Sequence, residues 1–288
     1  MTRCFFVCDL HGKIPRYEKL FAQIRKEKPD VIFIGGDILP SQMIVQKPYN
    51  GVHENFITDF IAPELRKLRN ELGNKYPHIY LILGNDDPRR EETTVLELDA
   101  EGLWYYSHQK FYHHHGFDIF GYAHIPPTPF FLKDWERFDV SHFIDVGCIS
   151  PLEGYHTTEF DYNEVDFFTI EKELTNLTKR HSDLSRAIFL FHTPPYDTYL
   201  DRAGLDGKVV DSVPVDVHVG SIALQRFIQD RQPYLTMHGH IHESARLTGH
   251  WQQKIGKTLC LSASHDGKEL SLVRFELENP QNTTKELI

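Results

Sequence analysis

The amino-terminal part of the chain alternates between short apolar runs and longer amphipathic stretches, and few folds accommodate that order. The runs 4–8, 31–34 and 79–83 have the length and composition of buried strands. A segment led by Pro15 and the stretch 53–72 have helical periodicity and lie between these runs. The order β-α-β-α-β predicts a parallel sheet that is covered by helices on both faces.

The rest of the chain predicts a second set of strands, and no repeat or low-complexity linker separates it from the first. We therefore predict one domain over residues 1–278, with a surface loop at 41–50 and a loose polar tail at 279–288. The predicted elements are a hairpin (110–113 and 117–121), helices at 163–180 and 221–231, and strands at 187–191, 234–237, 258–261 and 270–277.

The composition excludes several classes of protein. Lysine and arginine total 31 against 41 aspartate and glutamate residues, a net charge of -10, which disfavours a broad surface for duplex nucleic acid. Four scattered cysteines without a C-x-x-C pair indicate free thiols in a reducing compartment. The sequence starts directly in a strand, without a signal peptide, and no apolar run approaches the ~20 residues that span a bilayer. We expect a cytoplasmic protein with no membrane partner.

Five of the apolar runs lead into polar clusters, and these clusters contain the residues that could carry chemistry. In open α/β sheets, sites form at the carboxyl ends of strands, so five such ends would bring their side chains into one cleft. Each cluster alone is more often a turn or a surface feature, but five in this order are not explained in that way. The clusters are Asp9-Leu10-His11, Gly35-Gly36-Asp37, Gly84-Asn85-Asp86-Asp87, His192 and His238-Gly239-His240-Ile241-His242.

The side chains in these clusters suit borderline divalent cations. Imidazole and carboxylate ligands favour Zn, Mn, Fe, Co or Ni over Ca, and the 18 histidines of the chain agree with a metal site. Asp9 and His11 are two residues apart on what we expect to be an extended segment, so both side chains should leave the same side. His240 and His242 repeat this spacing. Glycines in three of the clusters are expected to let the backbone turn as each strand ends.

With these clusters in this order, the chain resembles the calcineurin-like metallophosphoesterase superfamily, whose pattern is D-x-H, G-D, G-N-[HCD]-[DE], a lone His and G-H-x-H. The matching positions run from residue 9 to residue 242. The run His218-Val219-Gly220-Ser221 and residues 238–244 look most similar to Icc-related bacterial and archaeal phosphoesterases. The resemblance implies a four-layer α/β/β/α sandwich with two mixed sheets and a binuclear metal site at the carboxyl ends of the strands.

The resemblance also implies which residues would bind the two divalent ions, expected to be Mn, Fe, Zn, Co or Ni. Because one aspartate belongs to both sets, it would bridge the ions. The first set is Asp9, His11, Asp37 and His242, and the second is Asp37, Asn85, His192 and His240.

Two such cations predict phosphoester hydrolysis by in-line attack of a metal-bound hydroxide, because metal coordination lowers the pKa of water toward ~7. We expect Asp37, Asn85 and Asp86 to take part in catalysis. Many family members have a histidine at the position of Asp86, where it protonates the leaving group. An aspartate beside two cations should be ionised and a poor acid. Its charge should oppose a phosphate monoester more than a diester, which favours phosphodiesterase activity.

The expected substrate is a small phosphoester or a nucleotide-like molecule, and the acidic chain disfavours long nucleic acid. The Pro-rich segment 121–130 is a candidate wall of the substrate pocket. A P-loop lysine and a G-x-S-x-G motif are both missing from the sequence, so kinase and serine esterase chemistry are unsupported. A nuclease is one alternative. A scaffold or binding protein that kept the fold and lost turnover is another, but every ligand position is filled, which favours the enzyme.

Overall fold

The computed structural model describes residues 1–41 and 55–288 of the 288-residue chain. The surface loop predicted at 41–50 lies outside the described residues, apart from Ser41, and so does the start of the helix predicted at 53–72. Within the described residues, the strands form two six-stranded sheets and one two-stranded hairpin. None of the described helices is both long and apolar enough to cross a membrane.

The first sheet has the strand order β14-β13-β1-β2-β3-β4. Its strands β1 to β4 are parallel, as the β-α-β-α-β order predicts, whereas β13 and β14 add antiparallel strands beside β1. The strands are β1 (Arg3–Val7), β2 (Val31–Gly35), β3 (His78–Ile82), β4 (Tyr105–Tyr106), β13 (Ser271–Glu276) and β14 (Asn279–Leu287).

The second sheet has the strand order β11-β12-β10-β7-β6-β5. Four central strands are parallel and both edge strands are antiparallel, so this sheet is also mixed. The strands are β5 (Lys110–His114), β6 (Phe117–Tyr122), β7 (Ala187–Phe191), β10 (Leu235–His238), β11 (Gln252–Ile255) and β12 (Thr258–Ser262). A separate hairpin is formed by β8 (Val209–Val210) and β9 (Val213–Pro214).

The described residues also form seven α-helices. A π-helical segment, Ile57–Ile61, runs directly into the α-helix Ala62–Leu72. Short 3₁₀ turns follow at Gly73–Lys75 and Arg89–Glu91. The α-helices are α1 (Ile14–Glu27), α2 (Ala62–Leu72), α3 (Glu92–Ala100), α4 (Tyr162–Phe167), α5 (Ile170–Thr178), α6 (Ile222–Arg231) and α7 (Ser244–Thr248).

Alternating side chains of β7 show how the layers are arranged. Ile188 and Leu190 are buried in a core shared with the first sheet, whereas Phe189 and Phe191 pack with residues of α5 and α6. On the other side, α1 and α2 pack against β2 and β3, for example through Leu20. Successive side chains therefore point to opposite faces of the strand, and both faces are buried. The molecule is therefore a four-layer α/β/β/α sandwich, as expected.

Two elements differ from the sequence-based prediction. Residues 279–287 form β14 and are not a loose tail; mutual backbone hydrogen bonds between Leu270 and Ile288 extend the pairing with β13. A polar segment can form β14 because this strand lies at the edge of the sheet and buries little side-chain surface. The helix predicted at 163–180 is two helices, because Phe168 is extended and Thr169 caps α5 through its hydroxyl.

Candidate metal centre

Four predicted ligands from three strand ends form a first cluster. The side-chain donor atoms of Asp9, His11, Asp37 and His242 all lie within 4.8 Å of one another. Nε2 of His11 is 3.0 Å from Nε2 of His242 and 3.7 Å from Oδ2 of Asp37. Four nitrogen and oxygen donors at this spacing can converge on a single cation.

A second cluster shares Asp37 with the first. The donor atoms of Asp37, His192 and His240 also lie within 4.8 Å of one another. Nε2 of His192 is 3.3 Å from Oδ2 of Asp37 and 3.0 Å from Oδ1 of Asn85. The structure thus brings all the predicted ligand residues to one place, with Asp37 between the two clusters.

The backbone reaches this arrangement in a different way from the one expected. Asp9 and His11 have φ values of 54° and 48°, so they follow β1 in left-handed conformations and not on an extended segment. Asp37 and His240 are also left-handed, with φ of 51° and 74°. Such angles are uncommon for residues other than glycine and are concentrated at functional sites. Tight turns therefore aim these side chains at the centre.

Two glycines allow the strand ends to approach one another closely. Gly36 has a φ of +90°, and a Cβ atom on it would lie 2.6 Å from Nδ1 of His192. A Cβ atom on Gly84 would lie 2.3 Å from Oδ1 of Asp37, although Gly84 itself needs no unusual φ. The expectation that glycines permit sharp turns therefore holds at Gly36, whereas Gly84 is required for space.

The carboxylate of Asp9 is held by three donors. Its Oδ2 accepts hydrogen bonds from the hydroxyl of Ser264, at 2.7 Å, and from the thiol of Cys8, at 2.9 Å. Its Oδ1 accepts one from the backbone N–H of His240, at 3.1 Å. Arg16 donates a hydrogen bond to the backbone carbonyl of Asp9. These contacts fix the orientation of a side chain that is almost fully buried.

The charges of the centre are strongly coupled. Burial would raise the pKa of Asp37, but His192 and His11 hold it well below its usual value. Burial would lower the pKa of His192, but Asp37 and Asp9 raise it to about 9. His240 has a pKa of about 3, because it is buried and lies near His192. Two buried carboxylates in this small volume therefore attract positive charge.

The donor set fits two divalent cations. Structural and catalytic sites for Zn and related metals use imidazole and carboxylate donors of this kind. Nδ1 of His192 is 2.8 Å from the carbonyl of Gly35, which leaves Nε2 directed at Asp37 and Asn85. A hydrogen bond at the remote ring nitrogen is the usual way in which a metal-binding histidine is oriented.

Asp86 contacts one of the predicted ligands directly. Its Oδ2 lies 3.1 Å from Nδ1 of His11, and its Oδ1 accepts a hydrogen bond from the hydroxyl of Ser41 at 3.0 Å. The neighbouring Asp87 accepts backbone N–H groups of Gly84, Ile38 and Leu39 and ties two loops together.

A cavity of about 610 Å³ opens from the centre. Its lining includes His11, Asp37, Asn85, Asp86, His240 and His242. Pro126 to Phe130 also line it, in agreement with the predicted role of this segment. His124, which precedes them, is instead fully buried, with Nδ1 2.7 Å from Oε2 of Glu173.

The same cavity contains a histidine whose importance the sequence did not indicate. His218 lines it, and Nδ1 of this residue is 2.8 Å from Oδ1 of the buried Asp201. Asp201 also accepts the backbone N–H groups of Asp197, Thr198 and Gly220. The run His218 to Ser221 contributes to the family resemblance of the sequence. Nothing in the sequence pairs His218 with Asp201, which lies 17 residues earlier.

Solved structures with the same fold cover almost all of the chain. One matches with a TM-score of 0.60 at 18% identity, covering 99% of this chain and 98% of the other. TT1561 of Thermus thermophilus matches with a TM-score of 0.54 at 15% identity, with coverages of 99% and 98%. A dimetal phosphatase from Danio rerio matches with a TM-score of 0.50 at 10% identity, with coverages of 99% and 95%. At these identities the likeness shows the fold.

No curated protein is similar enough in sequence to match the chain. The model of the calcineurin-like phosphoesterase family, however, matches residues 2–244. This range contains every residue of both donor clusters, and it agrees with the resemblance carried by the five motifs. The chain therefore belongs to the calcineurin-like phosphoesterase family.

Proposed function

We propose that this metallophosphoesterase hydrolyses phosphodiesters in preference to monoesters, at a centre for two divalent cations. Membership of the family implies a phosphoester hydrolase. The observation that supports the centre for two cations is the pair of donor clusters that share Asp37. The dimetal phosphatase from Danio rerio, which has the same fold, agrees with a centre of this kind.

The two clusters suggest how the ions would be divided. When bound, the cations would act as Lewis acids on the phosphoryl oxygens and would activate water. Manganese is a suitable candidate because it accepts both imidazole and carboxylate donors. One ion would be held by Asp9, His11, Asp37 and His242, and the other by Asp37, Asn85, His192 and His240.

Residues of the chain itself orient the donors and shape the approach of the substrate. Ser264 fixes the carboxylate of Asp9, and Asp86 accepts from the remote nitrogen of His11. Asn85 is the one neutral amide among the donors, and its carbonyl oxygen lies next to His192. Because all these groups are held before a substrate arrives, little reorganisation is needed during the reaction.

The charge of the cavity supports the preference for diesters. Asp86, Asp145, Asp216 and Glu243 line it, against Lys208 as the only lysine or arginine among the described lining residues. A monoester carries nearly two negative charges at neutral pH and a diester only one, so the acidic lining opposes a monoester more strongly. The same argument disfavours long nucleic acid and favours a small phosphoester.

The free cysteines, of which Cys4, Cys8 and Cys260 are buried, are consistent with the proposed cytoplasmic location.

The test combines metal content with turnover. The purified protein, loaded with Mn²⁺, is analysed for bound metal, and kcat/KM is measured for bis-p-nitrophenyl phosphate and p-nitrophenyl phosphate. We expect two ions per chain and a higher kcat/KM for the diester. Two bound ions without hydrolysis of either ester would instead identify a scaffold, and a monoester preference would refute the substrate proposal.

A further inference from the structure

The lining of the cavity combines polar and apolar side chains. The polar part includes the donors. The apolar part includes side chains from three separate segments, which we call the apolar compartment. It consists of Pro127, Phe130, Val146, Val209, Val210 and Val215.

Two of these segments meet across the cavity. A Cβ atom on Gly147 would lie 3.3 Å from Cγ2 of Val210, so the β8–β9 hairpin packs against the loop that contains Val146. The hairpin turns through Asp211 and Ser212, both left-handed, with φ of 48° and 66°. This is the backbone of a tight two-residue hairpin turn. The hairpin is therefore an ordered part of the wall.

The third segment is anchored by a buried ion pair. Thr128, which lies between Pro127 and Pro129, donates its N–H to Oε2 of Glu136 at 2.9 Å and its hydroxyl to Oε1. Nζ of Lys133 donates to the carbonyl of Thr128 at 2.8 Å and to Glu136 at 2.6 Å. Lys133 and Glu136 are both fully buried. This network holds the Pro-rich wall in one conformation.

The apolar side chains of this wall remain open to solvent. Val209 is 61% exposed and Phe130 is 38% exposed, although both belong to ordered segments. Exposed apolar surface that faces a polar catalytic cleft is typical of a small-molecule site, where apolar walls bind and a few polar groups orient the ligand. A ligand that contacts both the donors and the apolar compartment therefore has a charged group and an apolar group.

The chemistry of hydrolysis decides which ester group fits. Water adds to phosphorus and gives up a proton, one P–O bond breaks, and the second ester bond stays intact. The departing oxygen takes the electron pair of the broken bond, and the group leaves as an alcohol or, for an acidic phenol, as the phenolate, with the proton released to solvent. Negative charge develops on the departing oxygen, and an apolar wall would not stabilise it. The group that remains on phosphorus stays neutral throughout.

We infer that the apolar compartment binds the retained ester group of the substrate, and that this group is aromatic or similarly apolar. The inference rests on the proposed phosphodiesterase activity. It identifies the substrate class as diesters in which an aryl-like group accompanies the cleaved ester.

The test uses two diesters with the same leaving group. Phenyl p-nitrophenyl phosphate and methyl p-nitrophenyl phosphate both release p-nitrophenolate and differ in the retained group. We expect kcat/KM of the metal-loaded enzyme to be at least about tenfold higher for the phenyl ester, through a lower KM. Val210→Asn and, separately, Val209→Asn should reduce this ratio several-fold.

Leu287→Asn is the control. Leu287 is 48% exposed on the edge strand β14 and does not line the cavity. This variant should keep the wild-type ratio. Because Val209 is largely exposed, its variant should fold even if that of Val210 does not. Equal kcat/KM for both esters, or a ratio that neither variant changes, would overturn the inference. Failure to hydrolyse either ester would instead refute the proposed function.

Discussion

Oδ2 of Asp86 lies 3.1 Å from Nδ1 of His11, on the side of the ring opposite the donor cluster. The carboxylate therefore accepts from one ring nitrogen and leaves Nε2, which is 3.0 Å from His242, free to bind a cation. This is the carboxylate–histidine arrangement that orients metal ligands in other proteins. Asp86 thus contacts a predicted metal ligand, and two predictions separate the effect of its charge from the effect of its hydrogen bond.

Asp86→Asn should shift substrate preference toward monoesters. Asparagine keeps an acceptor for His11 and removes the negative charge that opposes a dianion. We expect the diester-to-monoester ratio of kcat/KM to fall by about tenfold, equivalent to ~1.4 kcal/mol of differential repulsion. The ratio is measured at equal metal occupancy. An unchanged ratio would mean that the charge of Asp86 does not reach the phosphate.

Asp86→Ala should instead weaken metal binding, because it removes the acceptor for His11 altogether. Loss of such a partner typically lowers metal affinity by about 10–100-fold. Titration with Mn²⁺ by calorimetry measures the effect, with Asp86→Asn as the matched variant. If Ala and Asn variants bind Mn²⁺ equally, the contact with His11 has no orienting role.

Asp37→Asn should reduce metal content and turnover together, since Asp37 is the residue shared by both donor clusters. We expect the affinity for Mn²⁺ to fall by more than the ~10–100-fold that is typical when a hydrogen-bond partner of a metal ligand is lost. Asp139→Asn is a suitable control because Asp139 accepts backbone N–H groups at the start of α6, away from the centre. Two tightly bound ions and near-normal turnover in Asp37→Asn would disprove the bridging role.

Turnover should fall steeply as the leaving group becomes more basic, because Asp86 is an acceptor for His11 and not a proton donor. The measurement is kcat/KM for a series of aryl phosphodiesters with phenols of increasing pKa. A shallow dependence would reveal an efficient acid, typically worth about 10²–10⁴-fold. His218, held by Asp201 in the same cavity, would then be the first candidate, and His218→Gln should make the dependence steeper.

Lys133→Met should destabilise the protein by about 3–5 kcal/mol, because it leaves the buried Glu136 without its cation. Burial already raises the pKa of Glu136 to about 7, against the opposing effect of Lys133. Without Lys133 this pKa should rise further. Because folded Glu136 is protonated below about pH 7 in both proteins, the destabilisation grows as the pH rises above that value and is smaller in acid. Thermal unfolding of both proteins near pH 5 and pH 8 measures it. A difference that is independent of pH would contradict the argument.

The sequence predicted the donor residues of the centre because each lies directly after an apolar strand. It did not predict the backbone conformation that presents them. Asp9, His11 and His240 adopt left-handed φ angles, which a reading of the sequence would expect at glycine. Ser264 was also missed, since its contact with Asp9 joins residues 255 positions apart and has no local signature.

Two further features of the structure could not be predicted from the sequence, because each depends on tertiary contacts. β14 is a polar edge strand, so it lacks the alternation of apolar residues that identifies a half-buried strand. Lys133 and Glu136 have the spacing of an ordinary surface pair, and only the packing of Gly154 and the Pro-rich segment around them makes them buried. Burial of this kind depends on contacts distant in sequence.

The position of β1 in the first sheet has a consequence for how the protein is made. β1 lies between β2 and β13, and the residues that follow it include Asp9 and His11. During translation, β2 is available as a partner early, but Ser271–Glu276 emerge only after the strands of the second sheet have been synthesised. At ~5–20 residues per second this delay is on the order of tens of seconds. Throughout that time β1 has one open edge, which is a template for pairing with other chains. The strand that leads to Asp9 and His11 is thus among the last to be completed, and nascent chains that terminate before residue 271 would leave the ribosome with that edge exposed.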